Sequence, residues 1–330
     1  MSSSLVVTRR LWPLKAPFRI SRGVKTAAET VLVEIGRGGA TGRGEAVPYA
    51  RYGETVEGVI AEIEAVAGAV SEGASRVDLP GLLRAGAARN AVDCALWDLE
   101  ARLSGVSVAE RIGRPPPASM VTAVTVSLDT PQAMAAAARA VAASPLLKVK
   151  VNAENPEARI RAVAQAARDA RLIVDPNESW DFALLERLQP LLGELGVALV
   201  EQPLPAGQDA ALEGFQPTAP ICADESAHVT ADLEALRGRY QAVNIKLDKA
   251  GGLTEALAML AAARAAGFRV MTGCMVCPSL AVAPALHLAA QSDFVDLDGP
   301  WWLSQDWPGG VSVRDGWIAP PAPGFWGEPD

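Results

Sequence analysis

Lys148, Lys150, Asp175, Glu201, Asp224, Lys246, Asp296 and Asp298 each stand at or near the end of a short apolar run, where packing alone gives no reason for a charge. Any one of them read singly is as consistent with a solvated strand terminus as with a functional group. Together they describe a reaction centre. Asp175, Glu201 and Asp224 close three consecutive runs, and three carboxylates brought to one place repel one another unless a cation lies between them. All-oxygen donors favour Mg2+, with Mn2+ as the alternative, over zinc, which prefers imidazole and thiolate. The competing reading pairs these carboxylates with the nearby lysines as a buried ion network, at a desolvation cost that no ligand would offset.

Lys148 and Lys150 are two residues apart, which on a strand places both on one face. Their mutual repulsion is expected to lower a lysine pKa and make it a usable base near neutral pH. Lys246 closes a later run with three others intervening, so on a closed barrel it would approach from the opposite side. Two bases facing each other across one carbon suit removal of a proton from one face and its return to the other. A metal on the substrate carboxylate would stabilise the charge that develops. The chemistry expected is metal-assisted proton transfer at a carbon acid.

Such a centre needs a scaffold that gathers distant residues. Runs at 121–127, 146–151, 172–174, 198–200, 221–223, 242–247, 269–272 and 294–297 read as strands, each followed by a helical segment. Thr130-Pro131 and Asn155-Pro156 read as helix starts, Thr230 and Thr254 as further caps, and Gly267 as a stop. His228 and His287 fall in segments read as helical. No G-x-G-x-x-G follows any of the strands, so the repeated βα units favour a closed (β/α) barrel over an open dinucleotide-binding sheet. In such a barrel the C-terminal strand ends meet at one mouth.

Residues 1–115 read as α+β, with strands at 5–11 and 30–35 and two helical segments after them. The second carries Ala91, Val92, Ala95, Leu96, Leu99 and Leu103 at helical spacing, with Gly105 as its stop. Pro115-Pro116-Pro117 then forms a stiff connection. The expected organisation is an α+β domain over 1–115, the barrel over 116–298 and a Trp-rich segment over 299–330 that returns to the first domain.

Composition narrows the partners. Acidic residues outnumber basic ones 38 to 30 with no Lys/Arg run, which argues against a nucleic-acid partner. The N-terminal Met-Ser-Ser-Ser-Leu-Val-Val lacks a basic stretch leading into a sustained apolar one, so neither secretion nor membrane insertion is expected. Four cysteines without framework spacing fit a reducing, cytoplasmic setting. Cys274-x-x-Cys277 has no second pair and no nearby histidine, so neither a zinc nor a redox role is assigned to it. Whether the chain forms a homo-oligomer is left open.

Five motifs carry a resemblance: Lys148-Val149-Lys150, Val174-Asp175-Pro176-Asn177-Glu178-Ser179-Trp180, Glu201-Gln202-Pro203-Leu204, Ala223-Asp224-Glu225-Ser226 and the stretch 244–252. In order and together they resemble the muconate-lactonizing subgroup of the enolase superfamily, where a Lys or His base working with Mg2+ is a known arrangement. The resemblance implies a barrel of the modified TIM type beneath an N-terminal α+β capping domain. Asp296-Leu297-Asp298 resembles the Asp-x-Asp motif of the superfamily's dipeptide epimerases, whose carboxylates receive the substrate α-ammonium; i and i+2 on a strand make a good cation receptor. Residues 20–23, 48–54, 86–99 and 273–277 are further similar to the dipeptide epimerases that act on L-Ala-D/L-Glu.

What the resemblance implies is a Mg2+-dependent enzyme with a small dipeptide as its partner. It would invert the Cα of the C-terminal residue of L-Ala-L-Glu or L-Ala-D-Glu by two-base transfer through an enolate, in murein peptide metabolism. Arg22, on a capping-domain loop, would pair with the glutamate side-chain carboxylate. Thr125, Lys148 and Cys274 would be further substrate contacts. Pro176 stands where alanine is more usual, with only a local backbone effect expected. Cycloisomerases, o-succinylbenzoate synthases and N-succinylamino acid racemases share the barrel and metal, but their substrates lack the free ammonium that Asp296 and Asp298 would receive. A dipeptide epimerase of other side-chain specificity is the remaining alternative.

Overall fold

The computed structural model describes residues 4–329. Strands β1 (Ser4–Ile20), β2 (Gly23–Arg37) and β3 (Ala40–Ala46) pair antiparallel in that order. β1 and β2 run well beyond the short apolar runs expected from sequence. β1 is an edge strand that alternates between half-buried Leu5, Val7, Trp12 and Leu14 and exposed positions, but the exposed set includes the apolar Val6 and Leu11, which blurs the pattern in the sequence. Pro13, tolerable on an edge, sits where its register with β2 shifts. β3 has no β-branched run to announce it. Its glycines serve packing instead: a Cβ on Gly42 or Gly44 would fall on the backbone oxygen of Ala95 or Ala91 in the helix Ala87–Ser104. That helix ends at Gly105 in the left-handed conformation, as its sequence predicts.

The expected strand at 121–127 is two pieces, β4 (Met120–Val121) and β5 (Val124–Val126), in different sheets. With β6 (Leu146–Lys150), β7 (Arg171–Asp175), β8 (Leu199–Glu201), β9 (Ile221–Ala223), β10 (Ala242–Lys246), β11 (Arg269–Gly273) and β12 (Phe294–Asp296), β5 forms a parallel sheet in sequential order. The sheet curls into a nearly closed barrel. Across the seam, Ala123 N–H donates to the Val295 carbonyl at 2.8 Å and Leu297 N–H to Thr122 Oγ1 at 2.9 Å.

The period of two along a strand then explains the site. Ala123, Leu146, Ile173, Leu199, Cys222, Ala242, Met271 and Phe294 pack against one another as a separate apolar plug inside the barrel. Two residues further along the same strands and the lead-in to β5 come Thr125, Lys148, Asp175, Glu201, Asp224, Asn244, Gly273 and Asp296. A polar layer therefore sits directly on the apolar one.

The helical beat is less regular than expected. Helices Pro131–Ala140, Pro156–Ala166, Phe182–Glu194 and Leu253–Ala265 follow β5, β6, β7 and β10, but only a 3-10 turn, Ala210–Leu212, follows β8. Thr130 caps its helix, accepting from Ala133 N–H at 3.3 Å. Thr230 and Thr254 do not. Asp232 takes the N–H groups of His228 and Val229 at 2.8 and 2.9 Å, while Thr254 lies inside the first turn and donates to Asp93 at 2.5 Å. His228 lies in the loop after β9 rather than on a helix, whereas His287 is helical.

β13 (Ser312–Arg314) and β14 (Trp317–Ala319) form a hairpin that β4 extends. The chain then reaches the first domain, where Trp326 Nε1 donates to the Arg43 carbonyl at 2.9 Å and Gly327 N–H to Asp98 at 2.7 Å. The helix Ala87–Ser104 also grips the barrel beyond β10, with Arg89 donating to Ala250 O at 2.6 Å and Asn90 to Asp248 at 2.8 Å. Among the described residues no helix is long and apolar enough to cross a membrane.

Candidate active site

Between the barrel mouth and the N-terminal domain lies a cavity of about 910 Å³. Thr125, Lys148, Lys150, Asp224, Lys246, Cys274, Asp296 and Asp298 line it from the barrel, and Arg22, Tyr49, Arg51 and Tyr52 from the other domain. Lys150 on β6 and Lys246 on β10 have three strands between them in an eight-strand order and so stand on opposite sides. Asp175 and Glu201 are fully buried and lie outside the cavity wall, beneath the lysines.

The lysines are neutralised from below. Lys148 Nζ lies 2.6 Å from Glu201, 2.7 Å from Asp296 and 3.1 Å from Asp175. Lys150 Nζ donates to Asp175 Oδ2 at 2.5 Å and to Asn177 Oδ1 at 3.1 Å. Lys246 and Lys249 approach the two oxygens of Asp224 at 2.8 and 2.6 Å. The depression expected from the Lys148–Lys150 pair is therefore absent at Lys148, and Lys246 is raised as well. Burial pulls Lys148 down, but Asp296, Glu201 and Asp175 overcompensate and hold it well above its ordinary value. Burial likewise opposes Asp224 and Glu201 at Lys246, and the carboxylates win. At Lys148, carboxylates from distant parts of the chain outweigh the lysine two residues away.

The carboxylates divide the same charge unequally. Despite burial, Lys150 and Lys148 hold Asp175 at about 2, and Lys246 and Lys249 hold Asp224 well below the usual range. Glu201 goes the other way, to about 8, because burial and repulsion from Asp175 exceed what Lys148 supplies. Its Oε2 meets Lys148 as an ion pair but receives no aligned hydrogen bond. As the side chains stand, no three His, Cys, Asp or Glu groups among the described residues converge to hold an ion. The donor set nevertheless fits a hard divalent cation: three buried carboxylates from adjacent strands, one under-neutralised, with Asn244 Oδ1 also buried and unpartnered beside them.

Asp296 and Asp298 form a second acidic centre. Asp298 accepts from Thr125 N–H at 2.7 Å and from Trp302 Nε1 at 3.2 Å, yet burial and Asp296 push it up to about 6. Asp296 gives one oxygen to Lys148 while Oδ1 is buried without a partner. Thr125 thus positions Asp298 through its backbone. Cys274 lies half-buried in the wall, with Cys277 buried behind it.

Arg22 is already engaged. Its guanidinium reaches Glu225 at 2.7 Å, Glu178 and the Asn177 carbonyl at 2.9 and 3.0 Å, and Tyr49 Oη at 3.3 Å. Arg51 grips Glu178 with two bonds of 2.7 and 2.8 Å. Sequence reasoning gave Asn177, Glu178 and Glu225 no part, although each lies within three residues of Asp175 or Asp224, which is the signal that was present. Asp248 and Lys249, within the stretch 244–252, have structural roles of their own. Lys249 is buried on Asp224, and Asp248 accepts from Val47 N–H at 2.9 Å, bonding the two domains.

Residues 2–113 match the N-terminal domain model of the mandelate racemase / muconate lactonizing enzyme family, and residues 132–330 the enolase C-terminal domain-like model. The chain belongs to this family of the enolase superfamily and is an isomerase of its racemase and epimerase class. Its relatives sharpen the class. It is 51% identical over 302 residues, 91% of this chain and 94% of the relative, to the L-Ala-D/L-Glu epimerase of Escherichia coli (strain K12). It is 46% identical over 288 residues, 87% and 91% of the two chains, to the N-acetyl-D-glutamate racemase of a Pseudoalteromonas species. A solved enolase family member from Agrobacterium tumefaciens, with homology to dipeptide epimerases and with bound sodium and L-Ala-L-Glu, superposes with a TM-score of 0.96 at 49% identity, covering 98% of this chain and 100% of that one. Other solved dipeptide epimerases of the same fold hold Mg and a dipeptide.

Proposed function

We propose that this enzyme epimerises a dipeptide at the Cα of its C-terminal residue, with L-Ala-L-Glu and L-Ala-D-Glu as the interconverted pair. The observation that carries the reading is Asp296 Oδ1, a buried carboxylate oxygen with no partner, paired with Asp298 at the wall of a cavity flanked by two opposed lysines. A substrate α-ammonium completes that centre. The 51% identical epimerase and the L-Ala-L-Glu held by the Agrobacterium protein support the same substrate. In this reading residues 1–115 and 299–330 close over a catalytic barrel of residues 116–298.

Asp175, Glu201 and Asp224 would hold Mg2+, which when bound supplies positive charge against the negative charge that builds on the substrate carboxylate. The chain's own groups do the rest. Lys150 and Lys246 take and return the Cα proton at Nζ from opposite sides. Lys148 and Cys274 line the substrate's path, and Thr125 holds Asp298 in place. Arg22 faces the glutamate side-chain carboxylate while shared with Glu178 and Glu225. The setting proposed is murein peptide metabolism in the cytoplasm.

Incubation with Mg2+ in D2O should place deuterium at the glutamate Cα of L-Ala-L-Glu and yield L-Ala-D-Glu. Lys150→Ala and Lys246→Ala should each abolish epimerisation. Absence of exchange with every dipeptide tried would exclude the reading. The Pseudoalteromonas relative favours a second one, racemisation of an N-acylated glutamate, in which Asp296 and Asp298 would face a neutral amide. Faster exchange of N-acetylglutamate than of L-Ala-Glu would select it.

A further inference from the structure

We infer that the Asn177–Glu178 turn couples the N-terminal domain to Lys150, making Glu178 a positioning residue for one of the two bases and not for the other. The inference rests on the epimerase reading and deepens it. Both residues are held at positive φ, 46° and 66°, where side-chain-bearing residues seldom stay unless their surroundings fix them. The surroundings here do so from two sides.

Beneath the turn, Asn177 N–H donates to Asp175 Oδ1 at 2.8 Å, and its side-chain Oδ1 accepts from Lys150 Nζ at 3.1 Å. Above it, the Asn177 carbonyl accepts from Ser21 Oγ and from Arg22, each at 3.0 Å. Glu178 is the next residue, and its carboxylate takes both bonds of Arg51, the Arg22 bond and the Ala206 N–H at 2.8 Å. Two adjacent residues thus carry contact from the loops at 21–22 and 51 straight to the ammonium of Lys150. Lys246 has no share in this path. Its partners are Asp224 at 2.8 Å and Glu201 at 4.0 Å.

A base must sit within a fraction of an ångström of its proton, and a displacement of ~1 Å costs up to about a hundredfold in rate. Releasing the Glu178 carboxylate from the arginines removes the turn's tie to the loop at 51 and leaves its backbone bonds to Ser21, Arg22 and the Gln202 carbonyl, so Asn177 fixes Lys150 less closely. The two bases can be read separately, because exchange of the Cα proton with solvent needs only the base on that proton's side, whereas inversion needs both.

The experiment compares Glu178→Gln, which keeps the side chain's size, with Arg51→Met, which removes the same contact from the other domain. Proton exchange in D2O is followed separately from L-Ala-L-Glu and from L-Ala-D-Glu with Mg2+ present, with thermal unfolding recorded for each variant. Lys150→Ala and Lys246→Ala assign each diastereomer to its base. The expected result is a loss of exchange of roughly tenfold or more for the diastereomer assigned to Lys150, with the other near the wild-type rate and epimerisation falling with the slower one. Equal losses for both diastereomers in folded protein, or no loss for either, overturn the inference. No exchange by the wild-type enzyme overturns the epimerase reading itself and this inference with it.

Discussion

Lys148 and Lys150, two residues apart on β6, divide a single carboxylate oxygen: Asp175 Oδ2 lies 3.1 Å from one ammonium and 2.5 Å from the other. Strand geometry puts both lysines on one face, and the neighbouring strands β7 and β8 supply the charge that makes their proximity tolerable. Lys148 is also the group that most directly neutralises Glu201, so it stands against the same two carboxylates that a divalent cation would occupy.

Lys148→Met should therefore lower the melting temperature without metal, since breaking a buried ion pair by removing one partner costs about 3–5 kcal/mol. Added Mg2+ should raise that temperature by more in the variant than in the wild type, because the competing ammonium is gone and metal binding stabilises by mass action. Calorimetry with and without Mg2+ checks this. A smaller metal-induced shift in the variant would mean that Lys148 helps to retain the cation rather than competing with it.

Asp298 gives a pH dependence with a definite sign. Burial and Asp296 raise it to about 6, so in the free enzyme it is ionised above that pH and neutral below it. A neutral Asp298 is a poorer partner for an ammonium, so kcat/KM for L-Ala-L-Glu should fall as pH drops through about 6. Asp298→Asn should lose that acid limb and lower kcat/KM at pH 8 by roughly tenfold to a hundredfold, as expected for a hydrogen bond between charged groups of about 1.5–3 kcal/mol. Exchange of N-acetylglutamate, which has no ammonium, should change far less.

The barrel and its polar layer were legible because burial and alternation act together there: each inward residue at one level is apolar, and the next inward residue two positions on breaks the pattern. What sequence alone did not yield lies where neither rule applies. β3 was missed because Gly42 and Gly44 are selected by the nearness of a helix and not by strand propensity. Thr230 and Thr254 looked like caps, but Asp232, two residues past Thr230, and Asp93, brought to Thr254 from the other domain, make the competing bonds. The direction of the Lys148 pKa was misjudged for a related reason. Lys150 is its neighbour in sequence, but the carboxylates that dominate Lys148 come from β7, β8 and β12.

Gly44 offers a test of the first of these. Alanine there would place a methyl group on the Ala91 carbonyl and 2.6 Å from Ala95 N, both backbone atoms that no rotamer change can move. β3 and the helix Ala87–Ser104 would have to part. Overpacking of this kind typically costs about 1–3 kcal/mol. Gly44→Ala should unfold at lower temperature or denaturant concentration, while Gly39→Ala, with nothing within 4 Å but φ at +89°, should show only a backbone penalty of about 1 kcal/mol. Equal stability of Gly44→Ala and wild type would show that the two elements are not packed this closely.

His287 should contribute a loss of stability in acid. Its imidazole is buried near Trp326, Nδ1 has no hydrogen-bond partner, and burial lowers its pKa from 6.5 to about 4. Above pH 6.5 the ring is neutral in both folded and unfolded chains and adds no pH dependence. Between 6.5 and about 4 the unfolded chain binds a proton that the folded one refuses, so stability falls as pH falls through that window. The full loss is about 3 kcal/mol, reached near the lower end. His287→Leu removes the titrating group and fills much of the same space. Relative to the wild type it should gain stability steadily from pH 6.5 to 4, measured by urea unfolding at each pH. A constant difference between the two proteins across that range would mean that the folded chain protonates His287 as readily as the unfolded one.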